Sequence, residues 1–268
     1  MTNALIGFSG FVGSTLLKQA RFESQYRSTN IDDIEGGVFE FVVCAGAPAQ
    51  KWIANREPEA DLQKINGLIA HLKTIHSKKF ILISTVDVFK NPIGVNENTL
   101  VDKMGLHAYG LHRRLLEEFV ESHFEHHLIV RLPGLVGPGL RKNVIFDFLN
   151  HNNIDAIDSR GRFQFYPMVN LWADIQIALG AGLKLVHLTA EPVSVADISS
   201  LGYGKTFENV IGNVVGSVPA TYDMRTCHAQ VFGVSSNYQY GARETIQAVR
   251  AYAQSEPLAI KSNSETKP

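Results

Sequence analysis

The sequence has little cysteine, almost no net charge and no long apolar run. Cys44 and Cys227 are its only cysteines and form no Cys-x-x-Cys pair, so we expect free thiols in a reducing compartment. The formal net charge of −1 argues against a nucleic acid or an acidic membrane surface as partner. No stretch is long enough to span a bilayer, and no basic segment precedes the first apolar run, which argues against a signal peptide. We therefore expect a cytoplasmic globular protein without a membrane or nucleic-acid partner.

In the first half of the chain, short apolar runs alternate with segments whose apolar residues recur at helical spacing. The apolar runs lie at 4–6, 39–44, 80–85 and 127–132, with a weaker one at 24–28. The helical segments lie at 14–19, 57–77 and 109–122. Strands that alternate with helices are typical of a parallel sheet covered on both faces. The sequence therefore predicts an α/β fold with a doubly wound, Rossmann-like parallel sheet.

Beyond Leu140 the alternation changes. We expect helices at 143–150, 171–183, 195–201 and 245–252, a strand at 163–169, and a strand at 184–188 that returns to the main sheet. Residues 1–140 are thus predicted to form the Rossmann core, to which 184–201 returns. Residues 141–183 and 202–254 are predicted to form a small C-terminal substrate lobe, and 255–268 a polar, disordered tail.

A glycine turn follows the first apolar run. Gly7, Gly10 and Gly13 recur at intervals of three and lead into a predicted helix. Glycines in such a turn permit a tight bend and let the backbone approach a pyrophosphate, while the helix N-terminus offers N–H groups to an anion. The pattern predicts a dinucleotide site, because a purely structural strand-to-helix turn is the weaker interpretation.

Three further residues are predicted to meet at the edge where parallel strands end. Thr85 ends a predicted strand, and Tyr109 begins the next predicted helix. Arg113, four residues later, shares a helix face with Tyr109, whereas Arg114 at the fifth position faces away. A cation beside a phenol lowers its pKa, so Tyr109 is predicted to act as a general acid/base, with Thr85 holding the reacting oxygen.

Taken in order, these motifs resemble those of the extended short-chain dehydrogenase/reductase family, which contains nucleotide-sugar epimerases, dehydratases and reductases. The similarity extends over roughly residues 4–190. Its clearest matches are Gly7-x-x-Gly10-x-x-Gly13, Ser84-Thr85 at a strand end, Tyr109-x-x-x-Arg113, and Arg131-Leu132-Pro133.

The resemblance implies a bound nicotinamide dinucleotide and a nucleotide-sugar substrate. The implied catalytic residues are Thr85, Tyr109 and Arg113. The implied cofactor-binding residues are Gly7, Phe8, Gly10, Phe11, Val12, Gly13, Arg27, Asp32, Ala45, Gly46, Tyr109, Arg113 and Pro133. The implied substrate-binding residues are Thr85, Asn143, Arg162 and Arg225, where each arginine is either a diphosphate ligand or an ordinary surface residue. The resemblance also implies a homodimer formed through the helix at 109–122.

The sequence departs from the family pattern in two places. Arg113 stands where the family has a lysine; a guanidinium keeps the charge and the donors but does not easily relay a proton. The segment 29–38 is too short for the usual helix and strand, and no carboxylate ends the second strand to bind a ribose 2′-hydroxyl. Arg27 stands there instead, either as a ligand of a 2′-phosphate or as a solvated side chain, so we expect NADP in preference to NAD.

No metal site is predicted. His123, His126 and His127 have no thiolate or carboxylate cluster of suitable spacing around them. The pair Cys227-His228 suggests a nucleophile, but no third group is visible in the sequence, which favours a core thiol.

Two functions of different classes fit the sequence. The first is an NAD(P)-dependent reductase or epimerase acting on a nucleotide-linked sugar, and the resemblance suggests a 4-keto reductase of a deoxysugar. The alternative is a dinucleotide-binding sensor or scaffold with little or no turnover, which Arg113 motivates. An enzyme of the same fold that acts on a non-sugar carbonyl compound or a lignin-like alcohol is a third possibility.

Overall fold

The computed structural model describes residues 2–212 and 219–258. The strands, in chain order, are β1 (Thr2–Ile6), β2 (Ser24–Tyr26), β3 (Val38–Cys44), β4 (His76–Thr85), β5 (Ile93–Val95), β6 (His127–Leu132), β7 (Gly134–Val136), β8 (Arg162–Phe163), β9 (Phe165–Pro167), β10 (Leu185–His187), β11 (Val193–Ser194) and β12 (Asp223–Met224). The helices are α1 (Phe11–Gln19), α2 (Lys51–Arg56), α3 (Pro58–Leu72), α4 (Ala108–His123), α5 (Val144–Asn150), α6 (Leu171–Gly180), α7 (Val195–Asp197) and α8 (Ala242–Ser255).

Six strands form one parallel sheet in the order β10-β6-β4-β3-β1-β2. The chain proceeds outward from β1 in both directions, since β2 lies on one side of β1 and β3 on the other. Ligands in open α/β sheets bind at such a switch point, outside the carboxyl ends of the strands. The predicted α/β class with a parallel, Rossmann-like sheet is confirmed.

Helices cover both faces of the sheet, and strands β1, β3, β4 and β6 have buried apolar residues on both faces. In β1, Ala4 and Ile6 pack with residues of α3 and α4, whereas Leu5 packs with residues of α1 and α6. All three side chains are buried. Continuous apolar strands of this kind are expected when a parallel sheet has helices on both faces.

The segment between β2 and β3 is as short as the sequence predicts. It contains a single 3₁₀ turn, Ile31–Ile34, whose Ile34 is buried in the core beneath α3. No strand follows within it, so β2 is the edge of the sheet.

Beside the main sheet, the described residues form three small two-stranded sheets, which pair β5 with β12, β7 with β9, and β8 with β11. A separate core formed by residues such as Ile145, Phe148 and Val249 joins α5 to α8. Leu171 and Ile175 of α6 belong to the buried cluster that also contains Leu5 of β1 and Leu16 of α1. The predicted domain boundaries stay predictions.

The ends of the predicted elements vary by a few residues. The helix expected at 195–201 is α7 followed by a π-helical turn, Ile198–Gly202. Residues 259–268 of the expected disordered tail lie outside the described residues. Within the described part, none of the helices has the length and apolar character needed to cross a bilayer.

Candidate active site

The glycine turn connects β1 to α1, and its three positions differ in whether the fold requires glycine there. Gly7 has φ +84°, and a Cβ there would lie 2.3 Å from the Ala45 carbonyl oxygen. A Cβ on Gly13 would lie 2.1 Å from the Gly7 carbonyl oxygen. A Cβ on Gly10 would meet only that same oxygen, at an ordinary 3.4 Å. The fold itself therefore requires Gly7 and Gly13, whereas Gly10 leaves open space above the turn.

The open space adjoins the N-terminus of α1. Gly10 is the N-cap and offers no side chain, and the first turn of α1 contains no acidic residue. The first N–H groups of a helix have no partner within the helix, and they carry a partial positive charge. An uncapped helix start beside a glycine is suited to a phosphate, so these residues fit the pyrophosphate of a dinucleotide.

Ala45 and Gly46, which directly follow β3, pack against this turn. Ala45 donates its N–H to the Ile6 carbonyl at 2.9 Å, and a Cβ on Gly46 would lie 2.9 Å from the Ile6 side chain. Among the other predicted cofactor residues, Phe8, Phe11 and Val12 are half-buried in or directly after the turn.

Arg27 lies beside the glycine turn, directly after β2. The Gly7 N–H bonds the Tyr26 carbonyl at 2.7 Å, and the Arg27 guanidinium lies 5.7 Å from the centre of the Phe8 ring. Its Nε donates to the Thr29 hydroxyl at 2.9 Å. Asp32 is placed differently: it is 89% exposed and lies 3.5 Å from His71, near the end of α3. The structure thus brings Arg27 to the turn, whereas Asp32 contacts α3.

Thr85 and Tyr109 meet because α4 packs directly on the turn after β4. A Cβ on Gly110 would lie 2.0 Å from the Asp87 carbonyl oxygen, so only glycine permits this approach. The Thr85 hydroxyl accepts the Asp87 N–H at 3.1 Å and is close enough to the Tyr109 phenol to stabilise its ionised form. Thr85 pairs with Leu132 in the sheet register, which places Pro133 at the same edge.

Arg113 lies against the face of the Tyr109 ring, with its guanidinium carbon 4.0 Å from the ring centre. The guanidinium forms a buried bidentate ion pair with Asp61 and also donates to the Pro48 carbonyl. His112 donates to the same carboxylate at 2.7 Å. Among the described residues, the Arg113 Nε is one of two buried side-chain polar atoms without a hydrogen-bond partner, the other being the Ser77 hydroxyl oxygen in β4. An orphaned donor of this kind fits a ligand oxygen at the site.

The pKa of Tyr109 corrects one expectation from the sequence. Burial raises it, the Arg113 charge lowers it and the Asp87 charge raises it, and the net direction is upward. Arg113 therefore acts in the predicted direction, but burial outweighs it. The sequence prediction considered only the neighbouring cation and not the loss of water around the phenol.

A buried ion cluster fixes α4 behind the site. The carboxylate of Glu117 accepts hydrogen bonds from Arg131 at 2.7 and 2.9 Å and from the Ser84 hydroxyl at 2.6 Å. Arg114 donates to Glu117 and to Glu121, each at 2.9 Å, whereas Arg113 lies over the Tyr109 ring. Because Ser84 precedes Thr85, this cluster sets the position of Tyr109 relative to the end of β4.

Four polar residues that the sequence analysis missed lie in the same site. Lys51, the first residue of α2, forms an ion pair with Asp87 at 2.7 Å. The Tyr222 hydroxyl lies 3.3 Å from Asp87 and 3.4 Å from the Lys51 ammonium. His107 caps α4 by accepting the Gly110 N–H at 3.0 Å. Lys51 and Asp87 follow strand ends and could have been suspected for that reason, whereas Tyr222 comes from a distant segment without a recognisable pattern.

Charge and burial alter the titration of two of these groups. Burial opposes the charge of Lys51, but the Asp87 carboxylate outweighs burial and raises the pKa of Lys51. Burial, assisted by the Lys51 charge, lowers the pKa of His107. Lys51 is therefore the cation of this group, and His107 is neutral near pH 7.

The predicted substrate residues Asn143, Arg162 and Arg225 differ in how far contacts within the protein already hold their side chains. Asn143 caps α5, accepting the Ile145 N–H at 3.0 Å and donating to the Leu135 carbonyl at 2.9 Å. Arg225 is held by Asp223 at 2.7 and 3.0 Å. Arg162 is exposed and lines a cleft of about 250 Å³ that Tyr222 also borders. Arg162 is thus the most available of the three, in a cleft that Tyr222 connects to Asp87.

No protein-family model matches this sequence, and no curated protein is significantly similar to it. Solved structures do resemble it. UDP-glucose 4-epimerase from Thermotoga maritima, solved with UDP-glucose, is 14% identical at a TM-score of 0.69, with 95% of this chain and 98% of that chain covered. RMD from Pseudomonas aeruginosa, complexed with NADPH, is 15% identical at a TM-score of 0.70, covering 95% and 99%.

A third similar structure is dTDP-4-dehydrorhamnose reductase from Yersinia enterocolitica, 14% identical at a TM-score of 0.70, covering 94% of this chain and 98% of that chain. At such identities the likeness establishes the fold, and it extends over almost the whole length of each protein. The chain therefore has the same Rossmann-like α/β fold as these nucleotide-sugar epimerases and reductases.

Proposed function

We propose that this protein is a nicotinamide-dinucleotide-dependent reductase or epimerase of the extended short-chain dehydrogenase/reductase type, acting on a nucleotide-linked sugar. The observation that carries the proposal is the meeting of Thr85, Tyr109 and Arg113 at the sheet edge that also holds the glycine turn. The similar folds solved with UDP-glucose and with NADPH support it.

Tyr109 is proposed to exchange a proton with the reacting oxygen of the substrate. Its phenol lies beside the Thr85 hydroxyl, whose oxygen is already fixed by the Asp87 N–H, so the Thr85 proton is free to point into the site. Both hydroxyls can then hydrogen-bond one substrate oxygen. A bound nicotinamide supplies the hydride chemistry, and the protein contributes orientation and proton transfer.

Arg113 is proposed to have two roles. Its charge lies over the ring face and stabilises the Tyr109 phenolate, which partly offsets the effect of burial. Its buried Nε–H, which has no protein acceptor, is available to a ribose hydroxyl of the cofactor. Asp61 and the Pro48 carbonyl hold the guanidinium in this orientation.

The cofactor is proposed to be NADP. The glycine turn and the start of α1 would hold the pyrophosphate, with Ala45 and Gly46 beside it. Arg27, not a carboxylate, follows β2, and its guanidinium lies next to the turn where a 2′-phosphate would be placed. The cleft lined by Arg162 and Tyr222 is proposed to take the nucleotide-sugar substrate, and the exposed side of α4 to form a homodimer.

Tyr109→Phe tests the enzymatic role. It removes the exchangeable proton and leaves the ring under Arg113 in place. We expect turnover to fall by about 100-fold or more, because positioned acid/base groups contribute about 10²–10⁴-fold. Binding of the dinucleotide should be retained, as judged by thermal stabilisation. Unchanged turnover would refute the assignment of Tyr109.

The second candidate, a dinucleotide-binding sensor with little turnover, is favoured by one observation: the Arg113 guanidinium is committed to Asp61 and Pro48. Arg113→Lys separates the two functions. A lysine cannot pair bidentately with Asp61, so an enzyme adapted to arginine should lose activity in this variant. A gain of activity would instead identify the natural protein as an impaired relic of the lysine-containing site.

A further inference from the structure

Three side chains with different metal-ligating atoms converge outside the candidate active site. Glu97 follows β5, and Cys227 and His228 follow β12, the strand that pairs with β5. One ligand atom from each, a carboxylate oxygen, the thiol sulfur and a ring nitrogen, lie within 4.8 Å of one another. Within residues 2–212 and 219–258 this is the one such group of three. Glu97 is the third group that the sequence did not reveal beside Cys227-His228.

The protein holds the Glu97 carboxylate in a fixed position. Its Oε1 accepts the His187 N–H at 2.8 Å and the Thr226 hydroxyl at 2.6 Å, and its Oε2 accepts the Cys227 N–H at 2.8 Å. An ionised carboxylate has about four acceptor sites, so about one remains for a cation. Hydrogen bonds that orient a ligand in this way are usual around metal sites.

Cys227 is exposed at the surface, so the expectation of a core thiol is wrong, and its sulfur lies within 4.8 Å of the ligand atoms of Glu97 and His228. A divalent cation would displace the thiol proton and release it to solvent, leaving a thiolate and a carboxylate that together neutralise the two positive charges.

We propose that Glu97, Cys227 and His228 form a binding site for a thiophilic divalent cation of the zinc type. Sulfur and imidazole ligands with one carboxylate suit Zn²⁺, which bonds sulfur at about 2.3 Å and nitrogen or oxygen at about 2.0–2.2 Å. Tetrahedral bonds of those lengths place ligand atoms about 3.3–3.7 Å apart, so ligand atoms that lie within 4.8 Å of one another need to approach by at most about 1.5 Å. Rotation of the exposed Cys227 side chain and of the half-buried His228 ring can supply that movement.

The cation would join two segments 130 residues apart in the sequence. It would link the loop after β5 to the segment after β12, next to β10 at the edge of the main sheet, because Glu97 already bonds the His187 N–H. A fourth coordination position would remain for water. The site stands independently of the dinucleotide proposal, so either can fail without the other.

Cobalt(II) is the probe that tests this site, because a cobalt–thiolate bond produces an absorption band that oxygen or nitrogen ligands do not. The purified, untagged full-length chain is stripped with a chelator and titrated with Co²⁺ under anaerobic, reducing conditions. We expect a thiolate-to-cobalt band that saturates at one ion per chain and disappears when Zn²⁺ is added.

Cys227→Ser should abolish the band, and His228→Asn should weaken Co²⁺ binding by about 100-fold or more, since even the loss of an orienting group costs about 10–100-fold. Cys44→Ser is the matched control, because Cys44 is a buried thiol within β3, and it should retain the band. Absence of the band in the natural chain, or an unchanged band in Cys227→Ser, would overturn the proposal.

Discussion

Gly10→Ala should separate the fold of the glycine turn from its ligand. The backbone of Gly10 has φ −77° and ψ 170°, which any residue adopts, and the added Cβ would lie 3.4 Å from the nearest protein atom. As the N-cap of α1, alanine is less favourable than glycine by about 0.5–1 kcal/mol. We therefore expect a folded protein with a slightly lower free energy of unfolding.

Dinucleotide binding should suffer much more than stability. The methyl group would occupy the space that the pyrophosphate needs, and forcing an extra methyl into a packed contact costs about 1–3 kcal/mol. At 1.4 kcal/mol for each tenfold change, the Kd should rise about 5–150-fold. The assay is equilibrium titration of NADPH and NADH by their intrinsic fluorescence, with unfolding measured in parallel.

Gly13→Ala is the matched comparison, because there the added Cβ would lie 2.1 Å from the Gly7 carbonyl oxygen. That variant should lose stability as well as binding. An unchanged Kd in a folded Gly10→Ala protein would refute the placement of the pyrophosphate on this turn.

Two further predictions concern buried ionisable groups behind the site. Glu117→Gln leaves Arg131 buried without its counter-ion and should lower the free energy of unfolding by about 3–5 kcal/mol, which lowers the melting temperature by about 10 °C. In the control variant Glu125→Gln, which changes an exposed carboxylate two residues after α4, the free energy of unfolding should change by less than about 0.5 kcal/mol; equal effects in the two variants would contradict the role of the buried pair. His187 supplies a pH dependence: burial lowers its pKa to about 4 from 6.5, so the unfolded chain binds more protons between those values. Stability should fall as the pH falls from about 6.5 to 4, and His187→Gln should reduce that slope in chemical denaturation; an identical slope would show that His187 does not contribute.

The sequence predicts the parts of the site that depend on local spacing. The three glycines indicate a turn between a strand and a helix, because their spacing is local. A tyrosine and an arginine four residues apart are predicted to share one face of α4 for the same reason. Tyr109 and Arg113 do lie face to face, because residues four apart in a helix share one side.

Contacts between distant segments could not be predicted in this way. Asp61, which holds Arg113, lies 52 residues before it, and Tyr222 lies 135 residues after Asp87. Nothing in the spacing of either segment indicates these contacts, because they arise from the packing of α3 on α4 and of the second half on the sheet edge. The same packing buries the Tyr109 phenol and reverses the direction of its net pKa shift.

The protein is proposed to bind a nicotinamide dinucleotide together with a nucleotide sugar. Thermal unfolding of the natural protein in the presence of NADP, NAD and a panel of nucleotide sugars tests it most directly. A ligand at 100 times its Kd adds about 2.7 kcal/mol to the free energy of unfolding, which raises the melting temperature by about 5–10 °C. We predict a rise with NADP that exceeds the rise with NAD, and a further rise with at least one nucleotide sugar. No rise with either dinucleotide would contradict the account.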